Sequence, residues 1–355
     1  GEWNVNDSSG IGAGSSQFLV RRARLKFGGF AFSPKVKYKV ELGLTNRDIS
    51  GASSHTKGAP RLILDAVVKW NFYKNFTLWA GQTKLPGNRE RVVSSANLQL
   101  VDRSKLNSNF NIDRDMGAQL RHHFTLGKNF TVREMISVSQ GEGRNVTDKN
   151  LGGYQYTSRL EILPFGSFES KGDYVGSSVK REDKPKLVLG GTYDLHDRAV
   201  KTKSNQGNYM ERIDSTGGFN GYFETDITTI FADMMFKYKG FSFMGEYAVR
   251  TAEKDSVTNF DGTKDKEGQV VAVGSGMNLQ MGYIFKKNWE VAGRYTLTEW
   301  DKTVTGEEAQ TQYTLGVSKY FKGHKLKVQS DITYSETVGS LDNDLMYRLQ
   351  FDLHF

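Results

Sequence analysis

The sequence predicts an all-β fold, a transmembrane antiparallel β-barrel of sixteen strands with long loops at one end and short turns at the other. Three observations carry this expectation. Segment after segment alternates apolar and polar residues with period 2, and no segment repeats with the period of a helix. The connections alternate between tight turns and long polar stretches, the pattern of an outer-membrane barrel. No uninterrupted apolar run in the 355 residues, whose mean hydropathy is −0.54, approaches the roughly 18–20 residues of a membrane-spanning helix.

The alternation is explicit from the first strand. Leu19, Ala23, Leu25, Phe27 and Ala31 share one face, and Arg22, Arg24 and Lys26 the other. Between 35 and 45, Val36, Tyr38, Val40, Leu42 and Leu44 oppose Lys35, Lys37, Lys39 and Glu41. The register recurs in Leu62, Leu64, Ala66, Val68, Trp70 and Phe72, in Phe241, Phe243, Gly245, Tyr247 and Val249, and in Leu326, Val328, Ser330, Ile332 and Tyr334. Each strand therefore offers one side to lipid or core and the other to water or anions. Short turns lie at 33–35, 73–75, 127–129, 238–240, 285–288 and 321–324, often after an aromatic residue of the kind that sits at a membrane interface. Long connections lie at 46–60, 85–113, 195–226, 251–269 and 299–310. This rule gives fifteen strands, near 17–31, 35–46, 61–72, 76–83, 116–125, 129–140, 154–163, 186–194, 227–239, 241–251, 270–285, 288–298, 311–321, 325–335 and 345–355. Glu2–Ser8 supplies the sixteenth, because bacterial single-chain barrels use even numbers. Residues 164–185 are long for the short-turn side, and Glu134 shares a face with Phe130, Val132, Ile136 and Val138, which points to a subunit interface or a local bulge there.

Composition fits this plan. Hydrophobic residues are 37% of the chain and aromatics 12%, with 38 Gly, a balance poor in core aliphatics and rich in rings and bends. The 48 Lys and Arg against 40 Asp and Glu leave a net charge of +8, so a basic surface or cavity and an anionic partner are expected. Cysteine is absent, which excludes disulfide scaffolds, thiolate metal sites and cysteine nucleophiles. The chain starts at Gly1 without an apolar leader, as a mature exported protein would. It reads as one domain over 1–355.

If the apolar faces meet lipid, the opposite faces collect Arg22, Arg24, Lys26, Lys35, Lys37, Lys39, Lys69, Arg121, Lys237, Arg250, Arg294 and Arg348 around a lumen, with Glu41, Asp65, Asp233, Glu246 and Glu290 among them. In a narrow low-dielectric channel such cations concentrate anions. The densest chemistry lies in 81–117, where Lys84, Arg89, Arg91, Arg103 and Arg114 stand among Glu90, Asp102, Asp113 and Asp115.

The run Gly81-Gln82-Thr83-Lys84-Leu85-Pro86, with Arg89-Glu90-Arg91, Ser94-Ser95, Leu98–Ser104 and Asp113–Gly117 after it, resembles the phosphate-selective porin O and P family. So do Arg21–Gly29 and Arg159–Gly166, and the resemblance extends over essentially the whole chain. It implies a sixteen-stranded, usually trimeric outer-membrane porin of a Gram-negative bacterium that passes small anions, phosphate among them. The third long loop of sixteen-stranded porins commonly folds inward, so 85–113 is expected to set the constriction. By match to the motif, Lys84, Arg89, Arg103 and Arg114 are carried over as anion-binding positions, with Arg91 beside them. The partners expected are small anions, outer-membrane lipid, two further copies of the chain and other outer-membrane proteins, with no nucleic acid.

No enzyme is expected, and no metal or cofactor. The six histidines have no zinc spacing, and adjacent His122 and His123 point to opposite faces of a strand. No GxSxG elbow is present, and Gly10, Gly12 and Gly14 precede no helix. Asp342-Asn343-Asp344 reads as a solvated turn. The last strand alternates Leu345, Tyr347, Leu349, Phe351, Leu353 and Phe355 with polar residues and resembles the assembly signal of outer-membrane barrels, with Phe355 its terminal residue. Two other functions fit the same fold: a plugged structural subunit of a larger outer-membrane complex, and a general or oligosaccharide porin, which would favour rings and amides over cations in the lumen.

Overall fold

The computed structural model describes residues 2–6, 15–214, 216–258, 269–340 and 343–354. Phe355, Asp342, Gly10, Gly12 and Gly14 lie outside the described residues. The strands are β1 (Glu2–Asn6), β2 (Ser15–Gln17), β3 (Arg24–Ala31), β4 (Ser33–Gly43), β5 (Ile63–Tyr73), β6 (Phe76–Lys84), β7 (Arg114–Leu126), β8 (Phe130–Ser139), β9 (Gln155–Leu163), β10 (Lys186–Ala199), β11 (Lys201–Lys203), β12 (Gln206–Tyr209), β13 (Glu211–Ile213), β14 (Phe219–Tyr222), β15 (Thr225–Tyr238), β16 (Phe241–Ala252), β17 (Gly274–Ile284), β18 (Trp289–Trp300), β19 (Gln310–Tyr320), β20 (Leu326–Thr337) and β21 (Asp344–Leu353). Seventeen of them form one antiparallel sheet, running from β3 through β4 to β10, then β15 to β21, then β1 and β2. The two remaining pairs, β11–β12 and β13–β14, are small hairpins inside the 195–226 connection, where the sequence shows no sustained alternation.

The ladder is not closed. Its two ends, β2 and β3, are consecutive along the chain, and 18–23 between them pair with no strand as part of the ladder. The sequence reading has one unbroken strand over 17–31, and the structure breaks it for a visible reason. Neighbouring residues of a regular strand point to opposite faces, yet Arg21 Nε and Arg22 Nη2 both reach Asp102 Oδ1, at 3.0 and 2.9 Å. Both side chains can converge on one carboxylate only if the alternation lapses.

Elsewhere the alternation sets the burial. Along β15, Thr225, Ile227, Thr229, Phe231, Asp233, Met235 and Lys237 are buried while the intervening residues are not. On β20, Lys327, Gln329, Asp331 and Thr333 are buried between more exposed Val328, Ile332 and Tyr334. The face that the sequence assigns to water is thus the covered face, and the apolar face is the open one, bearing Tyr247, Ile332, Tyr347 and Phe351. Leu64 departs from this pattern: it is buried next to the register shift between β4 and β5. Glu134 takes its expected place on the open face, where its Oε2 accepts a hydrogen bond from Nδ1 of His122 at 2.9 Å.

What covers the polar face is chain from both ends of the sheet. Residues 85–113 bring a short helix at Lys105–Phe110, whose Leu106 and Phe110 pack with Leu85 and Ile112 on Phe231 of β15 and Ala248 of β16. From the short-turn side, residues 164–185 place Phe168 with Leu163, Val188, Met235 and Met244. The two segments meet where the Gly176 amide donates to the Asn97 carbonyl at 2.8 Å.

The first glycine of the 81–117 motif is a backbone requirement. Gly81 has φ +123°, and a Cβ there would lie 2.2 Å from the Ala66 carbonyl oxygen. Only glycine lets β6 lie against β5 at the point where the chain departs toward residue 85.

Candidate functional site

The loop 85–113 is fixed to the sheet by charge and by its own carbonyl groups. Arg89 is fully buried and donates from Nη2 to Glu161 Oε1 at 2.7 Å, from Nε to Asp233 Oδ1 at 3.2 Å and from Nη1 to the Asp173 carbonyl at 3.3 Å. Arg159 binds the same two carboxylates, with Nη1 2.7 Å from Asp233 Oδ2 and Nη2 3.0 Å from Glu161 Oε1. Arg133 joins from β8 to Asp173 and Glu161. Three guanidinium groups and three carboxylates thus tie β8, β9 and β15 to both inserted segments.

The other half of the loop is held through peptide groups. Lys327 Nζ donates to the Leu98 carbonyl at 2.8 Å, Arg294 Nη1 to the Asp102 carbonyl at 2.7 Å and Arg250 Nη2 to the Phe110 carbonyl at 2.7 Å. The Gln99 side chain donates to Ser242 Oγ and Glu290 Oε1 and accepts from Gln280 Nε2. These bonds satisfy cations that burial would otherwise make costly. Asp102 gathers Arg21, Arg22 and Arg348. Burial pushes its carboxyl upward, and these guanidinium groups outweigh that push and hold it at about 2. Asp113 is likewise held well below the usual carboxylate range: burial opposes ionisation, and Arg91 and Arg114 overcome it.

A space is left open beside β4–β9. It is a cavity of about 560 Å³ whose wall includes nine cations (Arg24, Lys39, Lys69, Lys84, Arg114, Arg121, Arg133, Arg159 and Lys171) and three carboxylates (Glu41, Asp65 and Glu161). Five of the cations meet carboxylates: Arg24 with Glu41 and Asp48, Lys39 with Glu41 and Asp65, Arg114 with Asp65, Arg133 and Arg159 with Glu161. Lys84 Nζ instead donates to the Arg91 carbonyl at 2.7 Å. Lys69 and Arg121 share a ring. Lys69 Nζ lies 3.7 Å and the Arg121 guanidinium carbon 3.8 Å from the Trp79 ring centroid, contacts that each stabilise by about 0.5–2 kcal/mol.

Of the residues singled out from sequence, Arg24, Lys39, Lys84 and Arg114 line this cavity, together with Lys69 and Arg121. Arg89 stands in the buried network, Arg91 pairs with Asp113, and Arg103 donates to the Glu90 and Val93 carbonyls at 2.9 and 2.7 Å. Arg22 is spent on Asp102, Lys26 lies 3.8 Å from Glu41, and Lys35 and Lys37 are exposed near the turn before β4. Glu161, Asp173, Arg133, Arg159 and Trp79 were not named as site residues from sequence. For Trp79 a signal existed: it shares parity with Thr77 and Thr83, so it falls on the polar face.

The family model for phosphate-selective porin O and P matches residues 4–340. The chain belongs to that family. It is an outer-membrane porin. An uncharacterized protein of Aquifex aeolicus strain VF5 is 23% identical over 374 residues, 96% of this porin and 81% of that protein. Among solved structures, the trimer form of OmpT, an outer-membrane protein of Vibrio cholerae, has a TM-score of 0.53 at 12% identity and covers 99% of this chain and 96% of its own. The anion-selective porin of Comamonas acidovorans has a TM-score of 0.51 at 9% identity, covering 98% and 96%. At these identities the likeness is one of fold.

Two predictions follow from how the loop is anchored. Arg89→Ala leaves Glu161 and Asp233 with one fewer buried counter-charge and is expected to cost about 3–5 kcal/mol, seen as a lower temperature for loss of the compact form in a heat-modifiability gel; an unchanged temperature would remove Arg89 from the anchoring role. Asp102, with its folded value below the ordinary carboxylate value of about 3.9, stabilises fully above that value and loses its contribution as pH falls toward 2. Asp102→Asn should therefore lower stability by about 2 kcal/mol at neutral pH and by progressively less between about pH 4 and 2. A gap between parent and variant that stays constant across that range in thermal unfolding would contradict an ionic role.

Proposed function

We propose that this porin conducts small anions, phosphate among them, by passive diffusion along the cavity beside β4–β9. The observation that carries the reading is the wall of that cavity, nine cations against three carboxylates. An anion there meets Lys84, Arg114 and their neighbours in a confined space of low dielectric, where attraction is stronger than on an open surface. It exchanges part of its hydration for their N–H groups and leaves because no single position closes around it. Residues 85–113 serve as the constriction, with Arg89, Arg91 and Arg103 holding the loop in place and Lys84 and Arg114 presenting charge.

In this reading β2 and β3 are two halves of one interrupted strand, which makes a closed barrel of sixteen, and the protein stands as a homotrimer in the outer membrane of a Gram-negative bacterium. The trimer form of the similarly folded OmpT supports the assembly. A carbohydrate pathway finds less support, since Trp79 and Tyr174 are outnumbered by charges.

Purified protein in a planar bilayer under a salt gradient should give a reversal potential of anion-selective sign, with phosphate reducing chloride current. A cation-selective sign would refute the proposal, and absent conductance would favour a plugged structural barrel. Light scattering of the detergent-solubilised protein should return the mass of three chains; a single-chain mass would remove the trimer.

A further inference from the structure

We infer that the cavity holds a recognition subsite for organic anions with an apolar body, carboxylates or sulfonates, built from Lys69, Trp79 and Arg121 and the apolar wall next to them. The inference rests on the anion-porin reading and names the substrate class of that pathway.

The first element is charge that is held without being cancelled. Lys69 on β5, Trp79 on β6 and Arg121 on β7 occupy the same face, with Lys69 directly opposite Trp79 in the β5–β6 register. Both cations sit within 4 Å of the indole centroid, and among the described residues neither has a carboxylate within salt-bridge distance. Arg121 also donates from Nη2 to the Gln119 side-chain oxygen at 2.7 Å, a neutral acceptor. A carboxylate would have fixed these cations equally well and removed their attraction for an anion. The ring fixes them and leaves it. Lys171 lines the same cavity from the short-turn segment with φ +57°, a left-handed backbone unusual for a residue with a side chain.

The second element is what lies beside that charge. The same wall carries Pro86, Val92, Met135 and Tyr174. A tetrahedral inorganic anion is small and strongly hydrated, and in a space of about 560 Å³ it gains from the cations and nothing from these side chains. An organic anion gains from both, because its head group meets Lys69 or Arg121 while its body removes apolar surface from water. Trp79 is a positioning residue for the two cations and part of the apolar wall at once.

The test compares two sulfonates with the same head group and different bodies, benzenesulfonate and methanesulfonate, as blockers of chloride current through the purified porin. Benzenesulfonate should reach half-block at a concentration at least about fivefold lower, the advantage of partial ring burial. In the double variant Lys69→Met, Arg121→Met that concentration should rise at least about fivefold. Equal half-block by the two sulfonates, or unaltered benzenesulfonate block in the double variant, would overturn the subsite and leave the anion-porin reading standing; a parent that is not anion-selective would take down both. Should the double variant yield no channels, tryptophan fluorescence decides. Titrating the parent in detergent with benzenesulfonate should change the emission and methanesulfonate should not, and W79F should lose the change. A response that persists in W79F overturns the subsite.

Discussion

The structure depends on one constraint: a polar sheet face enclosed by protein must satisfy every charge it carries. Arg89 meets this constraint at its most demanding, with no exposed surface and bonds to Glu161, Asp233 and the Asp173 carbonyl. An isolated buried guanidinium would be expensive, whereas a guanidinium among carboxylates that are themselves bonded is tolerable and geometrically exacting. The same side chains thereby decide where residues 85–113 can lie. If the loop were displaced, Glu161 and Asp233 would keep only Arg159 and Arg133, and Lys327, Arg294 and Arg250 would lose the carbonyl groups they now hold. Placement of the loop and neutralisation of the face are one problem with one solution.

That solution is lopsided. Along β15–β21 the loop fills the space, with Leu106 and Phe110 packed on β15 and β16 and Gln99 reaching β16, β17 and β18. Beside β4–β9 it leaves a cavity, walled in part by its own Pro86, Val92 and Ser94. The cations facing the filled side are consumed by peptide oxygens and carboxylates; those facing the open side are only partly so. Selectivity in such a design comes from which charges the loop leaves alone, and the overall excess of basic residues is a poor guide to it.

This distinction marks how far the sequence can be read. Strand positions were legible because the alternation is a local property: β6 spans Phe76–Lys84 against an expected 76–83, and β16 spans Phe241–Ala252 against 241–251. The importance of 85–113 was legible too, from its density of charge and its resemblance to a known motif. Its pairing was not, because Arg89 and Asp233 stand 144 residues apart and Val101 and Asp331 stand 230 apart, and no periodicity relates them. The break at 18–23 was hidden for the same reason, since the carboxylate that draws Arg21 and Arg22 together belongs to residue 102. The long connection at 164–185 could be flagged as out of place, and only the structure shows that it turns inward to supply Asp173 and Tyr174.

Trp79 shows why aromatic residues on a polar face warrant separate attention in a channel of this kind. On the lipid side, rings such as Trp70 and Phe72 need no polar partner, and their placement follows hydrophobicity. On the inner side a ring has a different use, because its electron-rich face attracts a cation and carries no net charge. A channel that must present positive charge to a passing ion has three ways to hold a lysine or arginine: a carboxylate, a carbonyl group or a ring. The carboxylate offsets part of the charge, as Asp65 does between Lys39 and Arg114. The carbonyl ties the cation to the inserted loop, as the Arg91 carbonyl does for Lys84. The ring holds the cation on the rigid wall at little electrostatic cost, so Lys69 and Arg121 keep both their position and their field, the combination that the proposed recognition of an anion in transit requires.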